Sequence, residues 1–277
     1  MSFVFSNTII ASVLNIARLA ISVNTVTVMA LEIPSARKTA SQVFSRSCHG
    51  FTLCRSTSSI CAASAGALAE HPAAPSGLPA RLPRRIVELV AIGASTGGPI
   101  VLHEILRGLP ASFPAPIVVV QHMAHGFVQG LADWLTAACA LRAEVASSGT
   151  RPQPGRVYLA PDDVHLRIAA DGSLMCDRGD PVNGHRPAVS CLFESVAARL
   201  GRRAIGILLT GMGKDGAAQL KQMKEAGAIT IAQDRDSSVV HGMPGEAIRC
   251  GGAMYVMSPR QIAAALPALV NRHGDKQ

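Results

Sequence analysis

The stretch from Val87 to Pro99 constrains the fold of this chain more than any other, because an apolar run ends in it abruptly at a cluster of glycines. The run is short and rich in β-branched residues, which is typical of a buried strand. Apolar residues at helical spacing follow from Ile100 to Leu109. The pattern Gly-x-Ser-x-Gly around Ser95 therefore lies where a strand turns sharply into a helix. Such a turn lifts the serine hydroxyl clear of the sheet and surrounds it with helix N–H groups, which suits a nucleophile.

Two other roles of a glycine-rich turn stay open from this local pattern. Such turns also bind phosphate at a helix N-terminus, and Ser95 or Thr96 could simply cap the helix. The dinucleotide-binding pattern G-x-G-x-x-G is absent, because Ser95 stands where its second glycine belongs, and no Gly-Lys-Ser/Thr follows as in the Walker sequence. The choice between nucleophile, phosphate loop and cap depends on residues elsewhere in the chain.

Strand and helix patterns alternate from residue 85 onward. Strands are predicted over residues 87–92, 116–121, 142–146, 204–209, 229–232 and 253–257, and helices over 100–109, 126–140, 188–200, 216–226 and from Pro259. In the middle, residues 155–160 and 164–168 alternate in polarity, which predicts antiparallel strands, and Asp171-Gly172 predicts a tight turn before residue 174. The chain is therefore predicted to be a doubly wound α/β domain with a mostly parallel sheet, helices on both faces and an antiparallel hairpin at one edge.

Polar residues stand at the carboxyl ends of three predicted strands. Ser95 follows the first, His122 ends the second, and Asp215 follows the strand that ends at Leu209. On one rim they meet the needs of acyl transfer, in which histidine takes the serine proton and aspartate fixes the imidazole tautomer. Each alone also has a structural explanation, such as a helix N-cap for Asp215. The order Ser…His…Asp differs from that of α/β-hydrolases and disfavours that fold.

The net charge of +8 does not indicate a nucleic-acid-binding protein. Residues 1–86 hold eight of the 26 Lys and Arg residues and two of the 18 Asp and Glu residues, so the remainder is nearly neutral. One Trp and two Tyr in the whole chain offer no stacking platform either. The seven cysteines form no C-x-x-C pair and fit neither a zinc site nor a disulfide framework. We therefore expect free thiols in a reducing cytosol, no metal and no cofactor.

Residues 1–84 differ in composition from the rest of the chain. Asparagines and Arg18 interrupt the apolar N-terminal stretch, so it contains no clean run of 18 apolar residues, and no positive charge precedes it as in a secretory signal. Residues 35–86 are rich in Ser, Ala and Pro, as linkers are. We expect a poorly ordered extension over residues 1–84, a catalytic domain over 85–273 and no membrane insertion.

Five motifs follow one another between about residues 86 and 272: Gly93-Ala-Ser-Thr-Gly-Gly98, Gln121-His-Met123, Pro181-Val-Asn-Gly-His-Arg-Pro187, Thr210-Gly-Met-Gly-x-Asp-Gly-Ala217 and Ser237-Ser-Val-Val-x-Gly-Met-Pro244. Together they resemble the catalytic domain of chemotaxis protein-glutamate methylesterases, the CheB family. The resemblance implies a cytoplasmic enzyme of chemotaxis adaptation or a related signalling pathway. Such an enzyme hydrolyses glutamate methyl esters, and deamidates certain glutamines, on the cytoplasmic helices of chemoreceptors.

The resemblance also implies roles for individual residues. Ser95 would be the nucleophile, His122 the general base and Asp215 its orienting partner. The Met212 backbone N–H, with Thr96 nearby, would stabilise the oxyanion. The segment from Pro181 to Pro187 would face the substrate, through the residues Asn183, His185 and Arg186.

The chain departs from the family pattern in three places. Family members usually carry an N-terminal receiver domain whose phosphorylation relieves inhibition, whereas residues 1–86 show no strand–helix alternation and hold only two acids. Ala124 stands where the family tends to have proline, and Pro187-Ala-Val-Ser190 stands for the usual Pro-Ser-Val-Asp. We therefore expect any control to come from a separate protein, such as a response regulator. Two other functions stay open: a serine hydrolase acting on another protein ester or amide, and a non-catalytic docking module.

Overall fold

Nine strands and six α-helices lie within residues 86–270, which the computed structural model describes. In chain order they are β1 (Leu89–Ala94), α1 (Gly98–Arg107), β2 (Ile117–Gln121), α2 (Val128–Ala138), β3 (Arg142–Val145), β4 (Arg156–Leu159), β5 (His165–Ile168), β6 (Leu174–Asp177), α3 (Val189–Arg199), β7 (Ala204–Leu208), α4 (Ala217–Glu225), β8 (Ile229–Gln233), α5 (Met243–Arg249), β9 (Tyr255–Met257) and α6 (Pro259–Leu269). The extension predicted over residues 1–84 and the predicted domain end at 273 lie outside the described residues.

Seven strands form one parallel sheet in the order β3-β4-β2-β1-β7-β8-β9. The chain moves outward from β1 in one direction through β2, and later in the other direction through β7. The strand order therefore reverses between β1 and β7, and in open α/β sheets ligands bind beyond the carboxyl ends of the strands at such a point. This reversal brings Ser95, which follows β1, beside the loop that follows β7.

Two hydrophobic cores cover the two faces of the sheet. Helices α1, α2 and α6 pack on one face against alternate strand residues such as Ile92, Val119 and Ile207. Helices α3, α4 and α5 pack on the other face against the intervening residues, such as Ala91 and Val120. The predicted doubly wound architecture with helices on both faces is confirmed. None of the helices between residues 86 and 270 has the length and apolar character needed to cross a membrane.

The predicted antiparallel hairpin is present, as a two-stranded sheet of its own formed by β5 and β6. It contributes Leu166, Ile168 and Leu174 to the same core as α3. The prediction that residues 155–160 are also antiparallel is wrong, because β4 is parallel to both β2 and β3. The alternation of polar and apolar residues suggested a strand with one exposed face. Tyr158, one of the polar residues in that pattern, is instead buried, and its hydroxyl accepts a hydrogen bond from the Gln153 N–H at 3.1 Å.

The predicted start of the last helix is confirmed, and one helix was not predicted. Ser258 accepts a hydrogen bond from the Gln261 N–H in a capping box, with Pro259 in the first turn of α6. The unpredicted helix is α5, which contains Pro244 and Gly245 within seven residues. Pro244 lies at the start of the helix, where its missing N–H has no cost.

Candidate active site

Ser95 lies in the turn between β1 and α1, and its backbone is held by three hydrogen bonds. Its N–H donates to the Thr210 carbonyl at 3.0 Å. Its carbonyl accepts from the Gly98 N–H and from the Gln121 side-chain amide, both at 2.8 Å. Within residues 86–270 the Ser95 hydroxyl makes no hydrogen bond, and Gly97 is the N-cap of α1 without a side-chain cap. The turn therefore fixes the backbone and leaves the hydroxyl free, so Ser95 is not a helix cap.

Glycines are required where this turn meets neighbouring loops. Gly97 has φ 80°, and a Cβ there would lie 2.6 Å from Val239 Cγ2. Gly211 follows Thr210, and its Cβ would lie 2.7 Å from the Ser95 Cβ. The loops after β7 and β8 can therefore approach the serine only because these side chains are absent.

His122 is brought beside Ser95 by the pairing of β1 with β2. Ala94 is in register with Gln121, and the His122 N–H donates to the Ala94 carbonyl at 2.9 Å. The imidazole Nε2 lies 3.0 Å from Asp215 Oδ2. Its Nδ1 is buried and has no hydrogen-bond partner among residues 86–270, and Ser95 is not hydrogen-bonded to it.

Asp215 is only 1% exposed and is surrounded by hydrogen-bond donors. Its Oδ2 accepts from the His122 imidazole and from the Val189 N–H, the latter at 2.7 Å. Its Oδ1 accepts from the Asn183 amide and from both the N–H and the hydroxyl of Ser190. Burial alone would raise the pKa of Asp215, but the hydrogen bonds from His122, Ser190 and Asn183 hold it well below its ordinary value. The ionised carboxylate can only accept, so His122 Nε2 carries the hydrogen and Nδ1 is left as the basic nitrogen.

The carboxylate of Asp215 caps a helix, though not its own. Helix α4 begins after Gly216 without a side-chain cap, whereas Val189 and Ser190 are the first residues of α3. Their N–H groups and the positive end of the helix dipole stabilise the negative charge. This contact needs Gly93 and Gly216, since a Cβ at either would lie within 2.4 Å of Val189 Cγ1.

The three residues predicted to face the substrate have different surroundings. The Asn183 amide donates to Asp215 Oδ1 and to the Ser190 hydroxyl, each at 3.1 Å. His185 stacks on His122 with ring centroids 4.0 Å apart and planes 9° apart. Arg186 is exposed and donates to the Gly179 carbonyl at 3.3 Å. Two of the three side chains therefore contact the His122–Asp215 pair directly, and only Arg186 extends away from it.

Backbone N–H groups are available around Ser95. Within residues 86–270 the N–H groups of Thr96, Gly97 and Met212 have no hydrogen-bond partner, while the Thr96 carbonyl accepts from the Thr210 hydroxyl at 3.0 Å. The Met212 side chain is 74% exposed beside this turn. Both residues predicted near the oxyanion, Thr96 and Met212, thus offer free donors next to the serine.

Four buried polar residues of this region were not predicted from the sequence as parts of the site: Gln121, Ser190, Thr210 and Gln233. The signal that could have revealed them is a polar residue at the end of an otherwise apolar strand, as at Gln121, Thr210 and Gln233. No three His, Cys, Asp or Glu side chains in residues 86–270 come together in a way that could hold a metal ion.

Replacing His185 by glutamine is expected to reduce the loss of stability on acidification. Burial, and then the neighbouring His122, lower the pKa of His185, while Asp215 acts in the opposite direction. A histidine whose pKa is lower in the folded state stabilises the fold above the unfolded value of about 6.5, and this contribution is lost as pH falls through the folded value. Urea titrations at about pH 7.5 and about pH 5 should show a smaller fall in the free energy of unfolding for His185→Gln than for wild type. An equal fall would contradict this assignment.

Residues 90–266 match the family model described as CheB methylesterase. The chain belongs to the CheB methylesterase family. The crystal structure of the Thermotoga maritima CheB methylesterase catalytic domain is 41% identical in sequence, with a TM-score of 0.64, and the match covers 67% of this chain and 100% of that chain. The predicted family and fold are therefore confirmed.

Curated relatives carry the name protein-glutamate methylesterase/protein-glutamine glutaminase. Protein-glutamate methylesterase/protein-glutamine glutaminase 4 of Geobacter metallireducens is 49% identical over 203 residues, which cover 72% of this chain and 58% of the relative. The protein of that name numbered 1 in Syntrophus aciditrophicus is 52% identical over 182 residues, which cover 66% of this chain and 52% of the relative. This CheB-family chain thus spans about half the length of the curated relatives it matches.

Proposed function

We propose that this chain is a protein-glutamate methylesterase and protein-glutamine glutaminase that acts on the cytoplasmic helices of chemoreceptors in the cytoplasm. Ser95 is the nucleophile, His122 the general base and Asp215 its orienting group. The observation that carries the proposal is the His122 imidazole, whose Nε2 faces an ionised, buried carboxylate at 3.0 Å while its buried Nδ1 has no partner in the described chain. A basic nitrogen held in this way, at the end of the strand beside β1, suits proton transfer from the Ser95 hydroxyl, which makes no hydrogen bond within residues 86–270.

The reaction has two stages. The Ser95 oxygen attacks the carbonyl carbon of the glutamyl methyl ester while His122 Nδ1 takes the hydroxyl proton. The tetrahedral intermediate then breaks its bond to the methoxy oxygen, and the imidazolium returns the proton so that methanol leaves. Water, activated by the same nitrogen, hydrolyses the acyl-enzyme to the glutamate carboxylate and frees Ser95. With a glutamine substrate, ammonia leaves in place of methanol.

The electrostatics of the site support the charged stages of this reaction. The Asp215 carboxylate stabilises the imidazolium that forms when His122 takes the proton. His185 lies flat against His122, and the lowering of its pKa favours its neutral form, so it adds no repulsive charge. The N–H groups of Thr96, Gly97 and Met212, which have no hydrogen-bond partner within residues 86–270, supply donors for the oxyanion.

The function is tested by methanol release from a methylated chemoreceptor fragment, alongside labelling of Ser95 by a serine-directed phosphonate. The proposal predicts both. Labelling without methanol release would favour a serine hydrolase with another protein ester or amide as substrate. The absence of both labelling and methanol release would favour a docking module that binds without catalysis.

We further propose that residues 85–273 form the catalytic domain and that a separate protein, such as a response regulator, supplies any control. Deleting residues 1–84 is then expected to leave esterase activity nearly unchanged, because none of the proposed catalytic groups lies in that segment. Acetyl phosphate is expected to have no effect on the full chain. Initial rates of methanol release measure both. A strong rise in activity on deletion would instead identify residues 1–84 as an inhibitor.

A further inference from the structure

Thr210 connects the two loops that carry the N–H groups around Ser95, which are those of Thr96, Gly97 and Met212. It follows β7, next to the reversal of strand order, and is 0% exposed. Its carbonyl accepts from the Ser95 N–H at 3.0 Å, and its N–H donates to Gln233 Oε1 at 2.7 Å. Its backbone therefore ties the serine turn to the end of β8.

The Thr210 hydroxyl makes a second set of connections. It lies 3.0 Å from the Thr96 carbonyl and 3.2 Å from the Val240 carbonyl, and it accepts from the Val240 N–H at 3.0 Å. A threonine hydroxyl has one hydrogen to donate. The shorter contact and the bond already received from Val240 assign that hydrogen to the Thr96 carbonyl.

This bond sets the orientation of the Gly97 N–H, which has no hydrogen-bond partner among the described residues. In a trans peptide the C=O and the N–H point in opposite directions. Holding the Thr96 carbonyl toward Thr210 therefore turns the Gly97 N–H away from Thr210. Gly211, the residue after Thr210, is held by bonds to Val240, Gly242 and Met243, at 2.9, 3.1 and 2.9 Å. It is followed by Met212, whose N–H has no hydrogen-bond partner in the described part of the chain.

We propose that Thr210 is a positioning residue that holds the oxyanion donors in place, an inference that rests on the proposed esterase function. It does not contact the substrate. It acts by fixing the Thr96–Gly97 peptide with its hydroxyl, which also accepts from the Val240 N–H, and the Val240 carbonyl in turn accepts from the Gly211 N–H. Donors that are already oriented before the reaction stabilise the oxyanion without the cost of reorganisation.

Thr230 provides a matched control. It is also 0% exposed, its hydroxyl donates to the Gly252 carbonyl at 2.7 Å, and it accepts from the Met254 N–H at 3.0 Å. It thus connects two backbone groups as Thr210 does, but it lies near the start of β8 and makes no bond to the serine turn. Valine at either position removes the hydroxyl and keeps the shape of the side chain.

The test compares Thr210→Val and Thr230→Val with wild type. Removing one oxyanion donor costs about 10²–10³ in kcat, so misplacing donors is expected to lower kcat about 10- to 100-fold in Thr210→Val. KM and the midpoint of the pH profile should not change, because neither binding nor His122 is altered. Thr230→Val should keep the wild-type kcat even if it loses similar stability. Equal kcat in the two variants, or a loss carried by KM alone, would overturn the proposal.

Two further measurements cover the remaining outcomes. If Thr210→Val does not fold, Thr210→Ser and Thr210→Ala replace it: the serine variant should keep most of the activity and the alanine variant should lose it. If wild type releases no methanol but its Ser95 is labelled by phosphonate, the substrate assignment fails and the labelling rate becomes the readout. Slower labelling of Thr210→Val than of Thr230→Val then supports the role of Thr210. Absence of labelling in wild type would overturn both proposals.

Discussion

Ser95→Ala is expected to fold normally and to lose esterase turnover by about 10⁴-fold or more. The loss follows because the proposed mechanism forms the acyl bond on the Ser95 oxygen. The fold should be retained because the Ser95 hydroxyl makes no hydrogen bond within residues 86–270, whereas its N–H and carbonyl, which hold the turn, are unchanged. Initial rates of methanol release measure the activity, and urea unfolding measures the stability.

Ser112→Ala is the matched control for this variant. Ser112 is exposed in the loop before β2, at the opposite end of the strand from His122, and among the described residues its hydroxyl also makes no hydrogen bond. Its loss should change neither activity nor stability. Activity of Ser95→Ala within about tenfold of wild type would rule out the serine mechanism, since tenfold corresponds to only about 1.4 kcal/mol of barrier.

Asp215→Asn is expected to lower turnover by up to about 10⁴-fold, because an amide in place of the carboxylate permits the wrong imidazole tautomer. It should also lower the free energy of unfolding by about 1–3 kcal/mol. The reason is that the carboxylate accepts from Val189, Ser190, Asn183 and His122, and the NH₂ of asparagine would face some of these donors with a donor of its own.

The stability effect has a defined pH window. Because the pKa of Asp215 is held well below its ordinary value, its stabilisation is fully present above the unfolded value of about 3.9 and is lost as pH falls toward the folded value. The stability difference between wild type and Asp215→Asn should be constant at neutral pH and narrow in acid. Asp171→Asn, in the exposed turn of the β5–β6 hairpin, is the control and should keep full turnover. Turnover of Asp215→Asn within tenfold of wild type would exclude the orienting role.

The proposed catalytic residues could be selected from the sequence because Ser95 and His122 directly follow apolar strands and Asp215 lies in the glycine-rich loop after a third. An apolar run followed by a sharp glycine turn indicates a parallel strand and its carboxyl end. In a parallel sheet all such ends lie on one rim, so Ser95, His122 and Asp215 could be expected together before any contact was known. Five motifs in order then sufficed to suggest the CheB family.

Only the tertiary structure decided how strands pair and which atoms meet. Periodicity reports whether a residue is buried, not which strand lies beside it, so β4 was assigned antiparallel although it lies between β2 and β3. Likewise, Asp215 could be expected to cap its own helix, whereas it caps α3 and binds His122, 93 positions away in the chain.

The same distinction separates the proposed catalytic residues from the residues that bond to the groups around them. Asn183 was predicted to face the substrate, but its amide binds Asp215, and Thr210 was not predicted to have any role. Both make hydrogen bonds to groups far away in sequence, and the periodicity of a sequence does not report such bonds. The sequence by itself therefore determined the layered α/β fold and the residues at its rim, because burial patterns and turn preferences depend on residues that are close together in sequence. Which His122 nitrogen carries the hydrogen, and how the N–H groups around Ser95 are oriented, depend on contacts between loops that are distant in sequence, so only the tertiary structure decided them.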